Sequence, residues 1–166
     1  FLRKKGQKIA AKRGDRDARE GLVISKSHNE NGYLVCLNCE TDFVAKNDDF
    51  GAFANSLVDL AMQSESNTLE DLLNQKYANS ELTVKEKITE QSGVIGEKIE
   101  ISAFEKITAT KVVAYNHPGN QIATIVGLSL DEEEVGKQVA MQVAAMNPIA
   151  LDQDSVTQDV IDREIE

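Results

Sequence analysis

The chain has no run of about 18 apolar residues, so no segment reads as a membrane-spanning helix. It also lacks the basic start, apolar core and small-residue cleavage site of a secretory leader, and a cytoplasmic location is expected. Neither G-x-x-x-x-G-K-S/T nor G-x-G-x-x-G occurs, so no loop is built to cradle phosphates, and direct nucleotide binding is not expected. Cysteine is scarce: Cys36 and Cys39 make one C-x-x-C, with no second pair and no His-x-x-x-His to complete a zinc site. Three positions apart in a strand, the two thiols face opposite sides and read as small core residues. The two histidines, His28 and His117, lie in turn-like segments with no nucleophile beside them, which argues against His-centred catalysis. Neither an enzyme nor a cofactor is expected.

What the chain does have is a globular composition, 41% hydrophobic and 28% charged over 166 residues, enough for one domain or two small ones with real cores. Its charge is uneven. Between Phe1 and Arg19, Arg3, Lys4, Lys5, Lys8, Lys12, Arg13, Arg16 and Arg19 face only Asp15 and Asp17, a local +6 that leaves −16 on the remainder of a chain with net −10. A basic arm can meet phosphates, but the rest of the molecule would repel them. Nucleic acid is therefore not expected as a partner; the arm reads as a solvated helix face or a contact for an acidic protein surface.

The arm carries Leu2, Ile9 and Ala10 among helix formers, which predicts a short helix over Leu2 to Arg13 closed by Gly14-Asp15. Glu20 to Ser27 and Tyr33 to Cys39 read as two strands joined by the turn residues His28 to Gly32; the second is apolar at nearly every position and is expected to be central. Phe50, Phe53, Ala54, Leu57, Val58, Leu60 and Ala61 follow at helical spacing. Asn67 or Thr68 then caps a short helix with Leu69, Leu72 and Leu73. Thr83 starts another helix, which Gly93 and Gly96 end, and Ile99, Ile101 and Phe104 mark a third strand over Lys98 to Thr108.

Lys111 to His117 and Gln121 to Leu130, around Pro118-Gly119-Asn120, repeat the hairpin, and Asp131 to Glu134 begin a helix through Val135, Val139, Ala140 and Val143 to Met146. A last helix is expected over Ser155 to Glu166. The plan of hairpin then helix thus occurs twice, with His28 and His117 at matching turns and Ala61-Met62-Gln63 echoed by Ala140-Met141-Gln142. The expected class is α+β: two related subdomains, each an antiparallel sheet built on a β-hairpin and packed by helices. Residues 1–19 form the basic helix and linker, 20–110 the first subdomain and 111–166 the second. The second lacks a third strand, so it is incomplete and one sheet edge is left open. The chain starts at Phe1 and stops at Glu166 inside helical patterns, as a fragment of a longer protein would.

Between the two leading elements of the first half lies Cys39-Glu40-Thr41-Asp42-Phe43-Val44-Ala45-Lys46-Asn47-Asp48-Asp49-Phe50, a strand-to-helix corner that pairs a carboxylate with an aromatic ring. By pattern alone Phe43 is either a core residue or an exposed recognition residue. Glu40, Asp42, Asp48 and Asp49 form the one local acidic cluster that could hold Mg²⁺; Asp42, Asp48 and Asp49 with His28 would make a small acidic metal-dependent hydrolase. Asp48 and Asp49 are equally explained as helix-start chemistry, and no metal is expected. A passive protein-interaction module working through the basic helix is a further alternative.

The run from Cys39 to Phe50, followed by Phe53-Ala54, resembles the signature of the elongation factor Ts family, guanine-nucleotide exchange factors of elongation factor Tu. Arg3-Lys4-Lys5-Gly6 with Ala10-Ala11-Lys12, Ile95-Gly96-Glu97-Lys98-Ile99, and Ala140 to Ala145 with Pro148 resemble further family segments, so the likeness runs over essentially the whole chain. Two residues depart from the pattern: Gln142 stands where many members have His, and Cys36 replaces a more usual aliphatic. The resemblance implies a helical domain before Phe1 and further chain after Glu166. It also implies that Thr41, Asp42, Phe43 and Val44 press into the partner's G domain beside its Mg²⁺ and phosphate site. There Phe43 would act as a wedge and Asp42 would disturb the Mg²⁺ network, while Ile122, Ala123, Met141 and Gln142 would grip another domain of elongation factor Tu.

Overall fold

A computed structural model describes residues 8, 16–78 and 80–165. Apart from Lys8, the helix expected over Leu2 to Arg13 lies outside the described residues. Strands β1 (Glu20–His28) and β2 (Asn31–Cys39) pair antiparallel, from Glu20 opposite Cys39 to His28 opposite Asn31. The turn is therefore only Asn29-Glu30, shorter than the run of turn residues implied, because Asn29 adopts φ 52° and reverses the chain at once. Strand β3 (Glu100–Thr108) pairs with the other edge of β2, which makes β2 central as expected. It begins two residues later than predicted: Lys98 N–H donates to Glu40 Oε1 at 2.7 Å and Ile99 N–H to Ser92 Oγ at 3.2 Å, so neither joins the ladder.

The apolar residues of β3 fall three apart at Ile101 and Phe104, which a regular strand would send to opposite faces. The register solves this. Cys36 pairs with Ala103 and Leu37 with Ile101, leaving Ser102 as the extra residue of a bulge, and Phe104, opposite Val35, rejoins Ile101 on the core face.

Among the described residues from Glu20 to Met146, five helices accompany the strands: α1 (Asp42–Ala45), α2 (Asp48–Gln63), α3 (Leu69–Asn74), α4 (Val84–Ile95) and, after the second hairpin, α5 (Glu133–Met146). A 3-10 turn (Gln153–Ser155) and α6 (Gln158–Ile165) close the described chain. Asn47 starts α2 by accepting Asp49 N–H at 2.8 Å, and Phe50, Phe53, Ala54, Leu57, Val58 and Ala61 form its buried face. That face packs on Leu22, Ile24, Tyr33, Val35, Leu37 and Cys39, making the main core. Thr68 and Thr83 each start a helix through a capping box. Gly93 does not end α4; it is buried inside the helix, which runs on to Gly96 at φ 86°. Among the described residues, no helix is long and apolar enough to cross a membrane.

Strands β4 (Lys111–Asn116) and β5 (Ala123–Leu128) form the second hairpin, both shorter than predicted, with α5 packed on them. Gly136 of α5 has no room for a side chain: a Cβ there would sit 2.5 Å from Val113 Cγ2. The fold is thus α+β, with antiparallel sheets of three and two strands covered by helices. Among the described residues no strand pairs with the outer edge of β5.

The second hairpin does not extend the first sheet by a regular ladder, yet it seals the free edge of β1. Val112 N–H reaches Asn29 O at 2.9 Å, and Ala114 N–H reaches Ser27 Oγ at 3.2 Å. The Asn116 carboxamide then takes the place of a neighbouring peptide group, accepting Ser25 N–H at 2.7 Å and donating to Ser25 O at 2.8 Å. Val23 N–H reaches Asn120 O at 2.8 Å and Gln121 Nε2 reaches Gly21 O at 2.9 Å, so the turn residues are engaged by β1 and drop out of β5. Ser25 is 1% exposed, so its backbone groups have little recourse to water. Asn116→Ala should therefore destabilise the fold by about 1.5 kcal/mol in urea unfolding; an unchanged midpoint would show that the seam adds nothing.

Candidate functional site

The corner is suspended between two buried anchors, Cys39 at the end of β2 and Phe50 in the first turn of α2. Within it the chain makes one helical turn, α1, where sequence pattern gave only a corner: Ala45 N–H bonds Thr41 O at 3.2 Å and Lys46 N–H bonds Asp42 O at 3.0 Å. Successive residues of a helix point about 100° apart. Ala45 and Val44 take the inner side against the core, and Phe43 is turned out, 84% exposed. The choice between core and surface that the sequence left open is settled for the surface.

Thr41 precedes α1 but does not cap it, since its hydroxyl donates to Glu97 Oε1 at 2.7 Å. Glu97 Oε2 also accepts the backbone N–H of Glu40 at 3.0 Å and of Thr41 at 3.1 Å. Sequence reasoning passed over Glu97 as a site residue. The one signal for it was its position after Gly96, in a segment that already resembled the family.

Asp42 is held by Lys46, one helical turn on, at 2.8 Å. The hydrogen bond from that ammonium, followed by its charge, keeps the Asp42 carboxyl below its ordinary range. Beside the turn, Phe43, Val44, Phe50, Phe53, Val94 and Ile95 form the apolar part of a recess of about 380 Å³ that Asn47, Asp49 and Gln91 also line, with Val94 itself 51% exposed. On the other side, Asp42 and Lys46 border a wider cleft of about 860 Å³ that reaches Gly119, Asn120 and Gln121 of the second turn.

Of the residues expected to make a second contact, Ile122 and Met141 come together. They line a recess of about 280 Å³ with Tyr115, His117, Ala144 and Ala145. Ala123 is half-buried in β5, and Gln142 is exposed on α5 outside that recess. The hydrolase constellation is not assembled. His28 closes β1 opposite Asn31, while the corner follows the other end of the hairpin, roughly 26 Å away along a nine-residue strand. Among the described residues no group of three or more His, Cys, Asp or Glu is arranged to hold a metal ion.

A family model described as "Elongation factor TS" matches residues 40–166. The chain belongs to the elongation factor Ts family. The elongation factor Ts of Christiangramia forsetii is 51% identical over 171 aligned residues, covering 100% of this chain and 61% of that protein. That of Amoebophilus asiaticus is 46% identical, covering 99% and 61%, and that of Phocaeicola vulgatus 43%, covering 100% and 50%. The chain therefore spans between 50% and 61% of the length of these curated relatives. The elongation factor Ts match opens at Glu40, so it takes in the whole of α1, Glu97 and the second recess.

The thiols differ as opposite faces require. Cys36 is half-buried and Cys39 fully buried, its S–H donating to Thr41 O at 3.2 Å. Burial, and then the Glu97 charge, push the Cys39 thiol from 9.0 up to about 11. The unfolded chain would lose this proton first, so the contribution is intact below pH 9.0 and is lost as pH rises toward about 11. Between those limits the wild type should lose roughly 2–3 kcal/mol more stability than Cys39→Ala, measured by denaturant unfolding at each pH. Identical pH slopes would show that the thiol is not desolvated.

Proposed function

We propose that the chain is the partner-engaging part of a guanine-nucleotide exchange factor for elongation factor Tu in translation elongation. The observation that carries this is a phenyl ring 84% exposed on a turn whose flanks are anchored in the core, within a chain of the elongation factor Ts family. An apolar ring of that size gains nothing from water and is suited to insertion between two elements of another protein. The chain works in the cytoplasm and is not an enzyme: it makes and breaks no covalent bond and needs no cofactor of its own.

Thr41 to Val44 meet the G domain beside its Mg²⁺ and phosphate site. Phe43 wedges open the elements around that site. Asp42 arrives paired with Lys46 at 2.8 Å and exchanges this partner for groups of the Mg²⁺ network. Without Mg²⁺ the phosphates' charge is no longer neutralised, and GDP leaves. Residues 20–110 act as the subdomain that presents the wedge. Residues 111–166 act as a second subdomain that grips another domain of the partner through Ile122, Ala123, Met141 and Gln142, and residues 1–19 lead into the core.

The coupling is reciprocal: whatever factor by which the bound chain weakens nucleotide binding, nucleotide weakens binding of the chain, so GTP or GDP releases it. A thousandfold effect requires about 4 kcal/mol of differential binding. Phe43→Ala should slow release of a fluorescent GDP analogue from elongation factor Tu by about tenfold, a loss typical of an interface hot spot. Its own stability should move by less than about 0.5 kcal/mol, because the ring is a surface group. Undiminished release would refute the wedge, and complex formation without faster release from the unmutated chain would identify a passive interaction module.

A further inference from the structure

We propose that Glu97, paired with Glu40, is the positioning residue that aims Phe43. This rests on the reading of Phe43 as the wedge. A single helical turn has no stability of its own, since nucleation costs more than one turn returns. α1 also has no side-chain cap, and burial of Phe43 contributes nothing to holding it. The core holds the inner side of the turn through Ala45 and Val44; what holds its start is its attachment to the segment between α4 and β3.

That attachment is mutual. Glu97 gathers three donors from the corner, Glu40 N–H, Thr41 N–H and Thr41 Oγ1–H, at 3.0, 3.1 and 2.7 Å. Glu40 returns the arrangement by accepting Lys98 N–H at 2.7 Å. Each carboxylate holds the main chain beside the other, and bonds to a charged acceptor are the stronger kind. Glu40 also accepts from Arg16 at 3.1 Å, and Lys98 Nζ reaches Arg16 O at 3.2 Å, so the incoming chain is tied at the same point.

The latch sets more than the start of α1. Glu97 directly follows Gly96, whose left-handed φ of 86° ends α4, and Val94 in the last turn of that helix lines the same recess as Phe43. One carboxylate therefore ties the start of the turn that carries the ring to the chain leaving α4, which lines the same recess. The main core behind α1, which includes Cys39, Phe50 and Ala45, does not count Glu97 among its members.

The test is GDP release from elongation factor Tu, titrated with the full chain to separate maximal rate from half-saturating concentration, together with amide hydrogen exchange of the free chain. Glu97→Ala should lower the maximal rate about tenfold with a smaller change in half-saturation, as loss of orientation predicts. Glu97→Gln should recover to within about twofold, since its amide oxygen can accept both N–H groups and its nitrogen can donate to Thr41 Oγ1. Phe43→Ala/Glu97→Ala should be no slower than Phe43→Ala, the signature of two residues acting through one another. Exchange at the amides of residues 40 and 41 should quicken in Glu97→Ala while that of Val35 in the central strand does not.

A full rate for Glu97→Ala despite faster exchange would overturn the positioning role. A further loss in the Phe43→Ala background would overturn it too, by showing that Glu97 acts independently of the ring. If Phe43→Ala alone keeps the full rate, the wedge fails, and quicker exchange at residues 40 and 41 still marks Glu97 as the latch of the corner.

Discussion

The packing of α2 onto the inner face of β1 and β2 is the constraint from which the remainder follows. Leu57, Val58 and Ala61 on the helix and Val35, Leu37 and Cys39 on the central strand leave no solvent between them. Each fully buried aliphatic side chain contributes about 1.5–3 kcal/mol of transfer free energy. Because Cys39 and Phe50 are both fixed by this packing, the chain between them has few ways to turn from strand to helix. With the inner side occupied by Ala45 and Val44, an aromatic residue at position 43 can only face outward. Exposure of Phe43 is thus a product of the core, not a lapse in it.

What was legible in the sequence was what rests on near neighbours. The face of α2 followed from its spacing, the start of α4 from Thr83, and both hairpins from their turn residues, with the strand ends shifted by a residue or two. The features that escaped depend on residues far apart in the chain. Ser102 bulges because its partner strand demands it, and Gly93 stays helical because its surroundings bury it. Asn116 and Ser25 meet across 91 positions, and Glu97 and Thr41 across 56. No local pattern announces such pairs. For the candidate site, the Thr41 to Val44 segment was singled out by its resemblance to a family, while the direction of the ring needed the fold.

The corner is also a place where opposite charges are kept in hand. Asp42 faces solvent beside Lys46, and Glu97 is saturated by donors from the backbone and Thr41. One carboxylate is committed to structure. The other is held by an exposed lysine, an exchangeable contact of little net strength, and it stands next to the ring that the proposed function sends into a partner.

The seam between the hairpins carries a consequence for how a partner is met. A carboxamide engages a peptide group at one register only, so Asn116 on Ser25 sets the offset of one half of the molecule against the other in whole-residue steps. The distance from the phenyl ring of Phe43 to the hollow at Ile122 and Met141 is thereby a built-in gauge. Under the proposed function a partner touched at both places is measured by it, and one whose two surfaces stand at a different separation would not span the jaws.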